Sequence, residues 1–365
     1  MIDFFIIYFL SVIIVIITLE RNTVHIGMVL LFFLFFFFIG GRPVTLGTDT
    51  NTYHEIYNTW SFGFFDSDLE FLFSILTTSL KFIDVSATFW IAFLSFIYLL
   101  LIFMAIYRVY DECAVVLLLV TSSLYFWLYG INIIRYGIAF SILLFSSAVY
   151  SSSNKKSHAF YIAIFSAIGF HVSILVQAAC LIVFNRRISN FLFKFYWIFF
   201  IISFLFVIFN IDFLSGVEFI LLKIEYYLPS RLLSRFIFYM DVYESNALNI
   251  GFSYLLSLSA VVLGAIYRNR IVKNIDQTRI SFFELSFFFS VLNIIFLPLF
   301  YKYDTFARVL TGFDFFSVFL IYELFSFFFK RKLDRVIVIS LFSLFIFYKV
   351  IYTGFINGFL NYRFY

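Results

Sequence analysis

Charge is scarce in this chain: Asp, Glu, Lys and Arg together make up 13% of its 365 residues, while 64% are hydrophobic. Soluble domains carry about 25% charged residues, so a water-soluble globule is excluded. Proline is nearly absent, at three residues, which leaves long helices uninterrupted. The two cysteines, Cys113 and Cys180, lie at or inside apolar segments and read as small buried hydrophobes. Their spacing implies neither a disulfide framework nor a metal site. Four widely spaced histidines argue against a structural zinc site. No glycine-rich phosphate loop, nucleotide-binding domain or soluble catalytic domain is present, so ATP-driven work by this chain alone is not expected.

What the chain has in abundance is apolar runs, each long enough to cross ~30 Å of hydrocarbon at about 20 residues per crossing. These runs do not alternate polar and apolar residues as barrel strands do. The expected fold is an all-α, polytopic integral membrane protein with about 10–12 transmembrane helices. The expected spans are 4–19, 24–41, 86–107, 113–129, 134–150, 159–184, 192–209, 251–267, 281–300, 306–329 and 336–354. Residues 1–365 are expected to form a single polytopic membrane domain. The first span, Phe4 to Leu19, has no basic start and no small-residue cleavage site, so it reads as a retained helix.

The net charge of +4 says less than its distribution. Short basic segments at Lys155/Lys156, Arg186/Arg187, Arg268 to Arg279 and Lys330 to Arg335 read as cytoplasmic. The long acidic segments 42–70 and 210–250 read as external loops. If Lys156 and Arg187 both face the cytoplasm, 159–184 must enter and return on one side. The GFH interruption at Gly169 to His171 supplies a place for that break. This topology leaves Arg42, Arg135, Arg231, Arg235 and Arg308 outside, against the positive-inside trend, where arginines suit a lipid phosphate.

Arg135 is the only charge between Glu112 and Lys155. A guanidinium cannot shed its proton, and placing it mid-bilayer costs several kcal/mol or more. It needs an anion, a water-filled cavity or a membrane-edge position, and the polar break at Gly130 to Asn132 suggests an edge. Asn132 and Arg135, three apart, are expected to share a helix face. Gly137 and Ala139 allow close helix packing. Snorkelling to the headgroups is the structural alternative for this arginine.

Residues 40–57, GGRPVTLGTDTNTYHEIY, follow a membrane helix directly and are dense in polar groups. Arg42 suits a phosphate, Asp49 suits a general base or a sugar-hydroxyl ligand, and Tyr53 and His54 suit a sugar. A turn followed by a solvated loop gives the same pattern. In DSDLE, residues 66–70, Asp66 and Asp68 form a D-x-D pair of the kind that holds metal and sugar phosphate. Ser67 to Glu70 equally fits a capping box for a helix running to about Phe82, the preferred reading; Glu70 otherwise sits in a polar pocket. His171 stands in an apolar run, as packing residue or as acid, base or anion contact at the helix break. In 210–250, Leu232, Leu233, Phe236 and Ile237 suggest an amphipathic surface helix with Arg231 and Arg235 on one face. Arg308 enters an apolar helix one turn after Asp304, where a local ion pair is the plain reading.

Taken together, these segments resemble the Wzy/EpsG family of bacterial polysaccharide polymerases. The family pattern R-x-x-x-x-G-x-D-x-x-x-Y after the second helix reads here as Arg42, Gly47, Asp49 and Tyr53. The N-x-x-R-x-G-[IL]-A helix start reads Asn132, Arg135, Gly137, Ile138 and Ala139. F-H-x-S within a membrane segment reads Phe170, His171 and Ser173. A large external loop and a late arginine, Arg308, follow. Tyr136 departs from the pattern, which commonly has glutamine there.

The resemblance implies a GT-C-like, metal-independent glycosyltransferase in the bacterial cytoplasmic (inner) membrane. It implies a glycan donor on undecaprenyl pyrophosphate and, as acceptor, the non-reducing end of a new lipid-linked repeat. Membrane lipids and a chain-length regulator are implied partners; no cofactor, metal ligand or nucleic acid is expected. The expected catalytic residues are Asp49, Arg135 and His171. Arg135, with Arg42 or Arg308, would hold the donor pyrophosphate, and Asp49 or His171 would position or deprotonate the acceptor hydroxyl. Tyr53, Asn132, Arg231 and Arg235 complete the expected binding set. An O-antigen ligase shares this chemistry. A lipid-linked oligosaccharide flippase would show pseudo-symmetric halves, which this sequence lacks, and a membrane acyltransferase would need a better-placed His pair or His–Asp arrangement.

Overall fold

The structure is a computed structural model. It describes residues 2–20, 23–47, 49–60, 70–153, 155–209, 252–300 and 304–356, apart from the side chains of 304–309, 353, 355 and 356. Among the described residues every regular element is helical: α1 (Ile2–Ile17), α2 (Val24–Gly40), α3 (Thr50–Asn58), α4 (Phe71–Phe82), α5 (Ala87–Val109), α6 (Cys113–Thr121), α7 (Leu124–Trp127), α8 (Ile134–Ser153), α9 (His158–Phe170) and α10 (Leu175–Val183). After these come α11 (Arg186–Ile208), α12 (Phe252–Val272), α13 (Gln277–Phe300), α14 (Asp304–Phe315), α15 (Ser317–Phe328) and α16 (Lys332–Ile356).

Among the described residues seven helical stretches are long and apolar enough to cross a membrane, or eight if the bent pair at 113–132 is one span. Further apolar helices of 10–17 residues, including α1, α2 and α9, account for other expected segments. The chain is a polytopic, all-α, multi-pass membrane protein.

The helices gather into two compact units. One comprises Met1–Ile182, Ile271–Phe282 and Tyr322–Tyr365; the other comprises Val183–Arg270 and Phe283–Ile321. In the first unit α5 packs against both α2 and α8, α9 lies along α8, and α4 lies against α9. Trp127 anchors an aromatic cluster with ring centroids 5.3 Å from Phe4, 5.7 Å from Phe38 and 5.4 Å from Phe126. Its indole N–H donates to the Thr121 carbonyl at 2.7 Å, so the buried polar edge is satisfied.

The expected span 113–129 is bent by 82° between α6 and α7. The cause is the Ser122–Ser123 pair. Their hydroxyls bond back to the carbonyls of Leu119 at 2.7 Å and Val120 at 2.8 Å, and Ser123 then caps α7 through the Phe126 N–H. Serine pairs that compete for the helix ladder are a regular cause of kinks. A π-type turn, Leu128–Asn132, follows α7, and the chain breaks at Ile133 before α8 begins.

The 159–184 segment is also broken. As one straight helix it would hold Lys156 and Ile182 about 39 Å apart. Instead the Lys156 ammonium reaches the Ile182 carbonyl, so α9 and α10 fold back on each other as a hairpin. His171, in extended conformation between them, is the tip.

At the end of the first unit where α5 finishes, charges are paired. Arg335 donates to Glu112 at 2.6 Å, and Tyr322 donates to the same carboxylate at 3.1 Å. Arg279 binds Glu323 through two nitrogens, at 2.7 and 3.1 Å. In the second unit Arg268 pairs with Glu284 at 2.7 Å, and Asn293 donates to the buried Asp314 at 2.9 Å.

Candidate functional site

Four stretches of chain converge at the opposite end of the first unit: the 41–49 loop with α3, the head of α4, the start of α8, and the α9–α10 tip. Each is placed by a local break in helix. Arg135 lies in the first turn of α8 because the chain breaks at Ile133. Gly137 permits that break: a β-carbon there would stand 2.5 Å from the Tyr129 carbonyl oxygen.

The Arg135 guanidinium donates to Glu70 at 2.8 Å, with side chains 23% and 16% exposed. Its carbon lies 5.5 Å from the centre of the Phe73 ring. The other Glu70 oxygen faces the hairpin tip, 3.5 Å from both His171 Nδ1 and the Val172 N–H nitrogen. The capping-box expectation is corrected here. Glu70 occupies the N-cap of α4 but makes no side-chain cap bond, because its carboxylate turns to the stronger charged partner. Ser67, Asp66 and Asp68 lie outside the described residues.

His171 Nδ1 has two neighbours. The Ser173 N–H, at 3.2 Å, is nearer than the Glu70 oxygen. A backbone amide always carries its hydrogen, so Nδ1 is the acceptor and the neutral ring's proton sits on Nε2. The Tyr136 ring packs edge-on against the imidazole at 5.6 Å, and Gln177 donates to the Tyr136 hydroxyl at 2.9 Å. An amide side chain therefore reaches this corner from position 177, while position 136 itself carries tyrosine.

Tyr53, on α3, is 5% exposed. Burial raises its phenol above the ordinary value, and the facing Arg135, through charge and hydrogen bonding, opposes that rise; Asp49 adds to it. Tyr53 is thus a neutral hydroxyl beside the guanidinium. The N-termini of α4 and α8 both end here, adding partial positive charge. The whole is a small polar corner suited to an anion.

Arg42 and Asn132 make other contacts. Arg42 is 4% exposed. It donates to Thr50 at 3.2 Å, to the Ile39 carbonyl at 2.8 Å and to Ser95 at 3.0 Å. It thereby ties together the end of α2, the start of α3 and α5. Asn132 does not share a face with Arg135, because the break at Ile133 ends the helical spacing. Its side-chain oxygen lies 2.3 Å from where a Gly47 β-carbon would stand, and Gly47 has φ +80°. Glycine there answers both the close approach and the left-handed backbone. Arg231, Arg235 and the side chain of Arg308 lie outside the described residues.

Of the sequence-based set, Arg135, His171 and Tyr53 come together, and Asp49 stands at the N-cap of α3. That set leaves out Glu70, which links the first two. The available signal was a carboxylate at the head of an apolar helix.

Among curated proteins and among solved structures no match to this chain is found. Residues 25–364, nearly the whole length, match the EpsG family. With its many apolar helices and this match, the chain belongs to the EpsG family and is a polysaccharide polymerase-type membrane protein.

Proposed function

We infer that this protein polymerises a lipid-linked glycan at the outer face of the bacterial cytoplasmic membrane. It moves a growing chain from undecaprenyl pyrophosphate onto the non-reducing end of an incoming lipid-linked repeat. The observation that carries the reading is the Arg135–Glu70–His171 cluster, assembled from separate stretches of an EpsG-family chain beside two helix N-termini.

A diphosphate leaving group departs with its electron pair, so the protein's main task is to stabilise negative charge as it develops. Arg135 is partly open and its fork suits phosphate oxygens. The ends of α4 and α8 reinforce it. Arg42 is buried and hydrogen-bonded to its neighbours, so its part is to hold the loop and α3 in place. His171 offers Nε2–H as a donor to an acceptor-sugar oxygen. In this reading Arg135 and the helix ends supply the positive charge, and the enzyme is a GT-C-like, metal-independent transferase.

Deleting the gene in its native host and resolving the surface glycan on a gel tests the function. Loss of the long ladder, with single repeat units still attached to carrier or core, is the expected result. Loss of every attached unit would point instead to a ligase or flippase, and an unchanged ladder would refute the reading. Addition of a chelator should leave polymerisation by the purified protein intact.

A further inference from the structure

The Glu70 carboxylate takes a place on Arg135 that suits a phosphate oxygen. The two side chains are 2.8 Å apart and both are partly open to the site. They come from positions 65 residues apart, and the helix-start role expected for Glu70 goes unused. His171 does not fill the role of base in its neutral form, because Nδ1 accepts the Ser173 N–H and Nε2 carries the proton. Glu70 is the carboxylate that meets Arg135, His171 and the Val172 N–H at one point.

We propose that Glu70 is the general base for the acceptor hydroxyl, switched on by arrival of the donor diphosphate. The proposal rests on the polymerase reading above. Before the donor binds, Arg135 holds the carboxylate in an ion pair and withholds it from chemistry. The diphosphate competes for the same guanidinium, and Glu70 is released towards the α9–α10 tip.

The step balances as follows in bonds. The acceptor hydroxyl oxygen bonds to the donor's anomeric carbon. The bond from that carbon to the diphosphate oxygen breaks, and its electron pair leaves on the diphosphate, where Arg135 holds it. The hydroxyl proton ends on a Glu70 oxygen. Among the described residues, the charged or titratable groups that face Glu70 through this exchange are Arg135 from α8 and His171 from the tip. Without donor the base stays paired, so acceptor is not activated in an empty site.

The test separates donor binding from turnover. Wild type, Glu70→Gln and Glu70→Asp are purified into nanodiscs. Binding is read with undecaprenyl pyrophosphate, and turnover with the lipid-linked pool extracted from a host lacking this gene. Glu70→Gln keeps the shape and a neutral hydrogen bond to Arg135 but cannot take up the proton. Its turnover should fall about 100- to 10,000-fold, the range for loss of a general base, while undecaprenyl pyrophosphate binds as tightly as to wild type or more tightly. Glu70→Asp should recover part of the turnover. Turnover of Glu70→Gln within tenfold of wild type would overturn the proposal. So would a parallel loss of binding and turnover in both variants, the mark of a purely structural tie. A wild-type protein that binds the diphosphate lipid but makes no polymer would instead overturn the polymerase reading beneath it.

Discussion

Replacing Arg135 by alanine separates a structural arginine from one that acts on the reaction. Its guanidinium makes a charge-assisted bond to Glu70, at 2.8 Å, beside the buried Tyr53 hydroxyl. Hydrogen bonds to charged groups contribute about 1.5–3 kcal/mol. With side chains 23% and 16% exposed, solvent screens the pair, which argues for the lower part of that range. The Phe73 contact adds about 0.5 kcal/mol at a partly open site. The expected stability loss is therefore about 2 kcal/mol, small beside the ~5–15 kcal/mol that holds a typical domain folded. The transition state loses more. Removing one donor that faces developing negative charge typically costs about 100- to 1,000-fold in rate. Polymer formation by Arg135→Ala in nanodiscs should fall by at least that factor, with a modest drop in melting temperature and near-normal abundance. Arg135→Lys, which keeps the charge and loses the fork, should fall between. Turnover of Arg135→Ala within tenfold of wild type would refute the diphosphate role.

Other outcomes follow from the same geometry. Gly137→Ala should lower both melting temperature and turnover. Its β-carbon would meet the Tyr129 carbonyl oxygen at 2.5 Å, and overpacking of this kind costs about 1–3 kcal/mol; a melting curve unchanged from wild type would contradict the close approach. Arg279→Met strands the Glu323 carboxylate, which is 1% exposed, and breaking a buried pair this way costs about 3–5 kcal/mol. Adding Glu323→Leu should restore most of the melting temperature, and failure to restore it would show that more than charge pairing is lost. His54 is held below the ordinary histidine value of 6.5 by burial and then by Arg42. A folded value below the unfolded one means that stability is full above about pH 6.5 and declines as pH falls through the lowered value. Melting temperature measured against pH should show that decline, and His54→Gln should flatten it.

Much of the scaffold was legible in advance. The apolar runs that define α2, α5 and α8 were placed within a few residues, since burying backbone in lipid leaves a helix as the only local solution. The GFH interruption marked the α9–α10 break, and the positive-inside argument already required the segment to turn back. The 113–129 run was placed as a span, but its 82° bend was not, because hydropathy averages over Ser122–Ser123 and does not register where their hydroxyls go. The shared face of Asn132 and Arg135 failed for a related reason: helical spacing was assumed across a break at Ile133 that only the fold displays.

The site divides in the same way. Sequence by itself determined that this is a multi-pass helical membrane protein, and it singled out Arg135 and His171, because an ionisable group in an apolar run is conspicuous wherever it falls. For Glu70 it preferred a local role, that of a helix cap, over the alternative of a polar pocket, since local spacing is all that a linear pattern carries. The tertiary structure decided which of these groups meet. Arg135 and Glu70 are 65 positions apart, and their pairing depends on a bend, a π-type turn and a helix hairpin bringing separate chain breaks to one end of the first unit. A charge seeks the nearest opposite charge in space, and distance in space is fixed by packing rather than by order along the chain.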